Sequence, residues 1–289
     1  MLTRCFAVSA VRETLGAQIV RRPEGQGSRE KCQGKFQAKI VRRVIQILLV
    51  HAPATVILGA AWKLHARRKL EAMSNARRAV AVQMLELPDV DGFPTFFAWG
   101  RSATLHFNTD WRGENADPER ETGVKLLWTP EWLFFRFQAR FRVITVFSDA
   151  EPNGRRDQLW DRDVAEVFLQ PDPSQLRRYK EFEVSPNGFW IDLDIAPGEK
   201  HDLKSGMRRR VSLNEAAKTW VAELALPMKC LVECFDREAT WKVNFYRVEG
   251  TAEPRFYSAW EPTRTTVPNF HVPEAFGELI FVPSSMPRE

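Results

Sequence analysis

From residue 85 onward the chain is a succession of short apolar or alternating stretches separated by Pro, Gly, Asp and Asn, the pattern of β-strands joined by tight turns. Strands are predicted over residues 121–128, 132–138, 142–147, 163–169, 179–184, 189–195, 208–213, 219–226, 241–248, 255–260 and 276–282. Thr129-Pro130-Glu131 and Ser185-Pro186-Asn187-Gly188 read as turns, because Pro presets one backbone angle and Gly and Asn tolerate the others. Residues 149–158 are polar and read as a long loop, and residues 227–235 as one or two helical turns. Many short strands without long helices between them predict an all-β fold, an antiparallel β-sandwich of the immunoglobulin-like or jelly-roll type, over residues 85–285.

The two-residue period assigns side chains to faces. In 163–169, Val164, Glu166 and Phe168 share one face, and Asp163, Ala165, Val167 and Leu169 the other. In 179–184, Tyr179, Glu181 and Glu183 oppose Phe182 and Val184. In 189–195, Ile191, Leu193 and Ile195 are expected to point to the core, with Trp190, Asp192 and Asp194 facing outward. Several strands thus present aromatic and acidic side chains together. Such a face suits a saccharide, whose C–H groups stack on rings while its hydroxyls bond to carboxylates.

Charge divides the chain. Residues 1–80 hold 16 Lys/Arg against 4 Asp/Glu, whereas residues 81–289 hold 26 against 33. The strand-rich part is acidic, which argues against a nucleic-acid groove there. Residues 1–40 show no sustained period, so the first 80 residues are expected to be a basic extension, disordered or helical. Within it, residues 44–62 are apolar over about the length of a bilayer, but His51 and Pro53 interrupt the run and basic residues flank both ends. Two readings follow: a membrane-proximal or exported segment, or a chain that truly begins near Met73 and is cytoplasmic. Four cysteines at positions 5, 32, 230 and 234 have the spacing of neither a disulfide framework nor a zinc site. Nine of the ten tryptophans fall between Trp99 and Trp260, more rings than a core of this size needs.

The segment Leu159-Trp160-Asp161-Arg162-Asp163-Val164-Ala165-Glu166-Val167-Phe168-Leu169 resembles the central motif of family 9 carbohydrate-binding modules. The stretch from Tyr179 to Gly188 is similar to the segment that follows it in that family, and so, in order, are residues 220–227, 241–247, 258–263 and 269–277. The resemblance covers residues 120–282, extends more weakly back to residue 91, and leaves residues 1–80 out. It implies a β-sandwich of the same broad type as DOMON domains. It also implies a sugar at a chain end clamped between two tryptophans, which match Trp160 and Trp260 here. Glu166 matches the acidic partner, and Asn244 and Asn269 are candidates for the amide ligand. The strand expected to carry an arginine ligand has Glu181 and Glu183 instead. No cofactor is expected. Family members can hold structural calcium, and Asp161, Asp163 and Asp192 are the oxygen ligands available for it.

The resulting expectation is non-catalytic binding of a mono- or oligosaccharide, in support of polysaccharide breakdown by a separate glycoside hydrolase. Two alternatives stand beside it. One is a scaffold sandwich that has lost the sugar site, which would leave Trp160 and Trp260 far apart or one of them buried. The other is a glycosidase using Glu181 and Glu183, which would show a deep pocket with a desolvated carboxylate. A haem-binding sandwich would need axial ligands, and His106 or His271 with Met207 or Met228 stand in no recognisable context for that role.

Overall fold

Residues 78–284, described in a computed structural model, form thirteen strands and two short helices. In chain order these are β1 (Arg78–Gln83), helix α1 (Phe96–Gly100), β2 (Leu105–Phe107), β3 (Thr122–Trp128), β4 (Trp132–Arg140), β5 (Val164–Gln170), β6 (Tyr179–Val184) and β7 (Trp190–Ala196). They continue as β8 (Glu199–Asp202), β9 (Arg208–Asn214), β10 (Thr219–Pro227), helix α2 (Met228–Leu231), β11 (Trp241–Glu249), β12 (Phe256–Ala259) and β13 (Gly277–Val282). The basic extension's apolar run at 44–62 and the alternative start at Met73 lie outside the described residues. No helix among the described residues is long and apolar enough to cross a membrane.

The strands run in the order β8-β7-β6-β5-β11-β13-β1-β3-β4-β10-β9, with β12 added to β11 and β2 to β3. This is one continuous sheet that curls over on itself to close a sandwich. Phe135 and Phe137 of β4 meet Phe245 of β11 across the interior, with ring centroids 6.0 and 6.1 Å apart. The expected all-antiparallel arrangement needs one correction. β1 lies parallel to both β13 and β3, so the sheet is mixed. A strand that enters from before the domain is not tied to either neighbour by a hairpin and is free to pair in parallel. β1 sits in the middle of the strand order, so the sheet begins inside the segment read as extension.

Ten of the predicted strands are present, and the turns between them form as read. Ser185 N–H donates to the Phe189 carbonyl at 2.9 Å, and Gly188 closes the turn with a φ of 84°, which L side chains rarely adopt. Residues 142–147 are the exception. They run as an irregular segment whose Thr145 carbonyl accepts from Asp163 N–H, while Arg142 reaches away to Asp117 and Glu119.

The faces of β5 and β6 are as the alternation predicts. Ala165, Val167, Leu169, Phe182 and Val184 enter the main core. For β7 the assignment is reversed. Trp190 packs on the main core, whereas Ile191 and Leu193 lie on the opposite face with Leu159, Val164 and Val248. The register explains it: Ile191 pairs with Glu183 and Leu193 with Glu181, so these apolar residues share the face of the two glutamates. Asp192 is consequently buried on the core side and accepts from the Ser205 backbone and hydroxyl.

Candidate functional site

The outer face of β5, β6 and β11 carries the site. Three glutamates meet there because the antiparallel register of β5 and β6 sets Glu166 against Glu183 and Phe168 against Glu181. All three carboxylates are buried. Loops from two directions rise above them. The short turn Leu159–Asp161 brings Trp160, and the loop before β13 brings Asn269, Phe270 and His271. Together with Lys200 of β8 and with Arg255 and Tyr257 at the start of β12, these residues enclose a cavity of about 240 Å³.

The walls are rings held in place by their neighbours. Phe270 stacks on Tyr246 at 4.1 Å between centroids and 13° between planes. Its backbone is fixed by the Tyr246 hydroxyl, which donates to the Phe270 carbonyl at 3.0 Å. The Tyr246 hydroxyl in turn accepts from Asn244 Nδ2 at 2.8 Å. Trp160 lies half-buried, with the Lys200 ammonium 4.1 Å from its ring centroid. Arg255 donates to the Trp160 carbonyl at 2.9 Å and to Glu253 at 3.2 Å, tying the Trp160 turn to β12. His271 tilts over Phe168 and shares its Nδ1 with the Tyr179 hydroxyl at 2.6 Å.

The floor is electrostatically unusual. Burial holds Glu166 well above the ordinary carboxylate range, and the neighbouring Glu181 adds to the shift. Burial also raises Glu183, with Glu166 and Glu181 as further causes. Among the described residues no N–H or hydroxyl donor reaches Glu166 Oε1, Glu181 Oε2 or either oxygen of Glu183, and a proton held on Glu183 is shared with Glu181. A buried acceptor without a donor is costly, so this cluster stores unsatisfied bonding capacity next to the cavity.

Of the residues expected from sequence, Trp160, Glu166 and Asn269 come together at the cavity. Trp260 does not. It is 3% exposed and packs in the main core, 5.5 Å from Phe245 between ring centroids. Its backbone N–H donates to the Phe245 carbonyl, so the chain enters the sheet there and turns the ring inward. Asn244 is likewise withdrawn. Fully buried, it donates to Tyr246 and to the Glu261 carbonyl and accepts from Phe245 and Glu261 N–H, which leaves nothing for a ligand. Asn244 therefore positions Tyr246 and, through it, Phe270. Asn269 is exposed and accepts from His271 N–H at 3.0 Å.

Sequence reasoning missed Phe270, Tyr257, Lys200 and Arg255 as lining residues. Phe270 had a signal, its place beside Asn269 in a segment already matched to the family. Lys200 had none, since it sits on a short, wholly exposed edge strand. Of the aspartates considered for calcium, Asp163 accepts from Gly250 N–H and lies 3.9 Å from Arg247, and Asp192 is engaged by Ser205. Among the described residues no group of His, Cys, Asp and Glu is arranged to hold a metal ion.

Comparison with known proteins bears on the fold. The fold matches a Bacteroides uniformis protein proposed to bind carbohydrate, with a TM-score of 0.58 and 17% identity over 72% of this chain and 100% of that one. It also matches a family 9 carbohydrate-binding module of Caldicellulosiruptor kristjanssonii in complex with cellotriose, with a TM-score of 0.53 and 15% identity over 72% of this chain and 95% of that one. The glucose complex of a family 9 module from the same organism gives a TM-score of 0.51 at 15% identity, over 72% and 97% of the two chains. The fold is thus that of the family 9 carbohydrate-binding modules, as the sequence motifs indicate. In sequence, an Arthroderma benhamiae protein named Extracellular protein is 22% identical over 193 residues, 61% of this chain and 85% of that one. No family model matches the chain.

Proposed function

We propose that the protein binds carbohydrate and does not cut it, holding a sugar unit in the cavity between Trp160 and Phe270 with Glu166 beneath. The observation that carries this reading is the cavity itself. A half-buried tryptophan and a braced phenylalanine stand over unpaired buried carboxylates, which matches the apolar faces and polar edge of a pyranose. The shared fold supports it, since the related module structures hold cellotriose and glucose. Trp260 is buried, the outcome expected of a scaffold that has lost its sugar site, so the binding reading rests on Phe270 as the second ring in its place. A separate glycoside hydrolase would supply any cleavage that this binding serves.

The test is intrinsic fluorescence of the full chain during titration with glucose, cellobiose and cellotriose. A saturable change that Trp160→Ala and Phe270→Ala each abolish supports the reading. A folded protein that answers to no sugar overturns it in favour of a scaffold role.

One observation favours a second reading. Glu166 and Glu183 are cross-strand neighbours, whose Cβ atoms lie about 5 Å apart in such a pair, and both are desolvated. Retaining glycosidases work with two carboxyl groups about 5 Å apart, one of them kept protonated. Incubation with aryl glycosides decides between the two. Release of the phenol that Glu166→Gln and Glu183→Gln both abolish would replace binding by hydrolysis.

A further inference from the structure

Three carboxylates on one patch of sheet call for positive charge, and the described residues bring none into contact with two of them. Arg255, the guanidinium nearest the cavity, is committed to Glu253 and the Trp160 carbonyl. Lys200 reaches over the cavity but rests on the Trp160 ring and forms no ion pair among the described residues. His271 Nδ1 stands 3.9 Å from Glu181 Oε2, and it is already shared with Tyr179. Glu166 and Glu181 each keep a sliver of surface at the cavity, whereas Glu183 is sealed beneath them. The site therefore has three carboxyl groups at its floor, two of them held toward the protonated form by burial, and an ammonium already lodged against its aromatic wall.

We propose that this cavity selects an amino sugar, a saccharide bearing a protonated amine, over its neutral counterpart; the inference rests on the carbohydrate-binding reading above. The pyranose ring lies against Trp160 and Phe270, and its ammonium meets the edges of Glu166 and Glu181 that reach the cavity. Charge-assisted bonds of this kind are about twice as strong as neutral ones, and more so away from water. Lys200 marks the place that the ligand takes. Its ammonium shows that the face of Trp160 accepts a cation, and its flexible stem on the exposed edge strand β8 lets it swing aside. Glu181 and Glu183 stand together on β6, and with Glu166 opposite they are the specificity element of the cavity.

Binding of an ammonium also draws protons off the floor, because a nearby positive charge favours the ionised carboxylates. The groups that set this balance are Glu166 of β5, Glu181 and Glu183 of β6, Tyr246 of β11, Lys200 of β8, Arg255, Tyr179 and His271.

Calorimetric titration of the full chain near pH 7 with glucosamine, glucose and N-acetylglucosamine tests the proposal. Glucosamine is expected to bind at least about tenfold more tightly than glucose. N-acetylglucosamine, which keeps the ring and loses the charge, is expected to lose that advantage. Glu166→Gln is expected to narrow the ratio of glucosamine to glucose affinity. Glucose binding as tightly as glucosamine overturns the selectivity and leaves the binding reading intact. A preference that survives in both Glu166→Gln and Glu181→Gln overturns its assignment to the carboxylates. No saturable binding of any of the three sugars overturns the selectivity, and the binding reading falls with it only where cellobiose and cellotriose fail to bind as well.

Discussion

Glu166 on β5 stands directly opposite Glu183 on β6, both buried and both held above the ordinary carboxylate range. Two like charges across a strand pair destabilise a sheet, and burial without donors adds to that cost. A protein that keeps such a pair retains it against its own stability, as functional sites commonly do.

That cost has a definite sign with pH. The unfolded value for Glu183 lies near 4.5, and the folded value is higher because of burial and the Glu166 and Glu181 carboxylates. Above the unfolded value the folded state holds the extra proton, so stability falls as pH rises from there through the folded value. Glu183→Gln removes this penalty. Thermal melts are expected to place the variant above the wild type at about pH 8, with the gap closing toward pH 4. A gain of about 1 kcal/mol corresponds to roughly 2–4 °C for a domain of this size.

The two tryptophans matched to the clamp are expected to part company. Trp160 is half-buried at the cavity, so Trp160→Ala should abolish ligand-induced fluorescence change with a small loss of stability. Trp260 is core, and Trp260→Ala should cost about 3–5 kcal/mol in urea denaturation. Equal stability of the two variants would contradict the packing described.

Asn244 reaches the site only through Tyr246 and Phe270. Asn244→Ala is expected to lower stability by about 1–3 kcal/mol through the unpaired backbone groups of Phe245 and Glu261. It should also weaken sugar binding less than Phe270→Ala does. Affinities of the two variants in one titration series check the order.

Arg247 is sealed in the sheet with Glu249 at 3.3 Å, Asp163 at 3.9 Å and the Trp220 ring at 5.2 Å. Burial raises Asp163 to about 6 even with Arg247 opposing the shift. Arg247→Ala strands buried acids without their cation, so a loss of about 3–5 kcal/mol is expected. The loss should be greater at about pH 8 than at pH 5, where Asp163 takes a proton, and denaturation at the two values measures it.

Much of the sheet was legible because strands and turns are local. Alternation in β5 and β6 places Val164, Glu166 and Phe168 on one face and Tyr179, Glu181 and Glu183 on the matching one. β7 defeats the same logic. It is covered on both faces, so Ile191 and Leu193 can serve the site side as well as Trp190 serves the core. β1, β2 and β8 escape notice for another reason. β2 and β8 are very short, and β1 stands in a basic stretch whose pairing with β13 is made across the whole domain.

By itself the sequence determined the fold class and much of the strand-by-strand patterning, because two-residue periods and turn residues act over a few neighbours, whereas Trp160, Glu166 and Asn269 were marked only by the resemblance to family 9 modules. Only the tertiary structure decided which aromatic ring shares the cavity with Trp160. Trp260 and Phe270 are both large, apolar and close in sequence, and the choice depends on which one the sheet turns inward and which one Tyr246 braces over the cavity. Register decided the rest. It set Glu166 against Glu183 and left Glu181 beside them, and a buried cluster of three acids exists only where two strands meet.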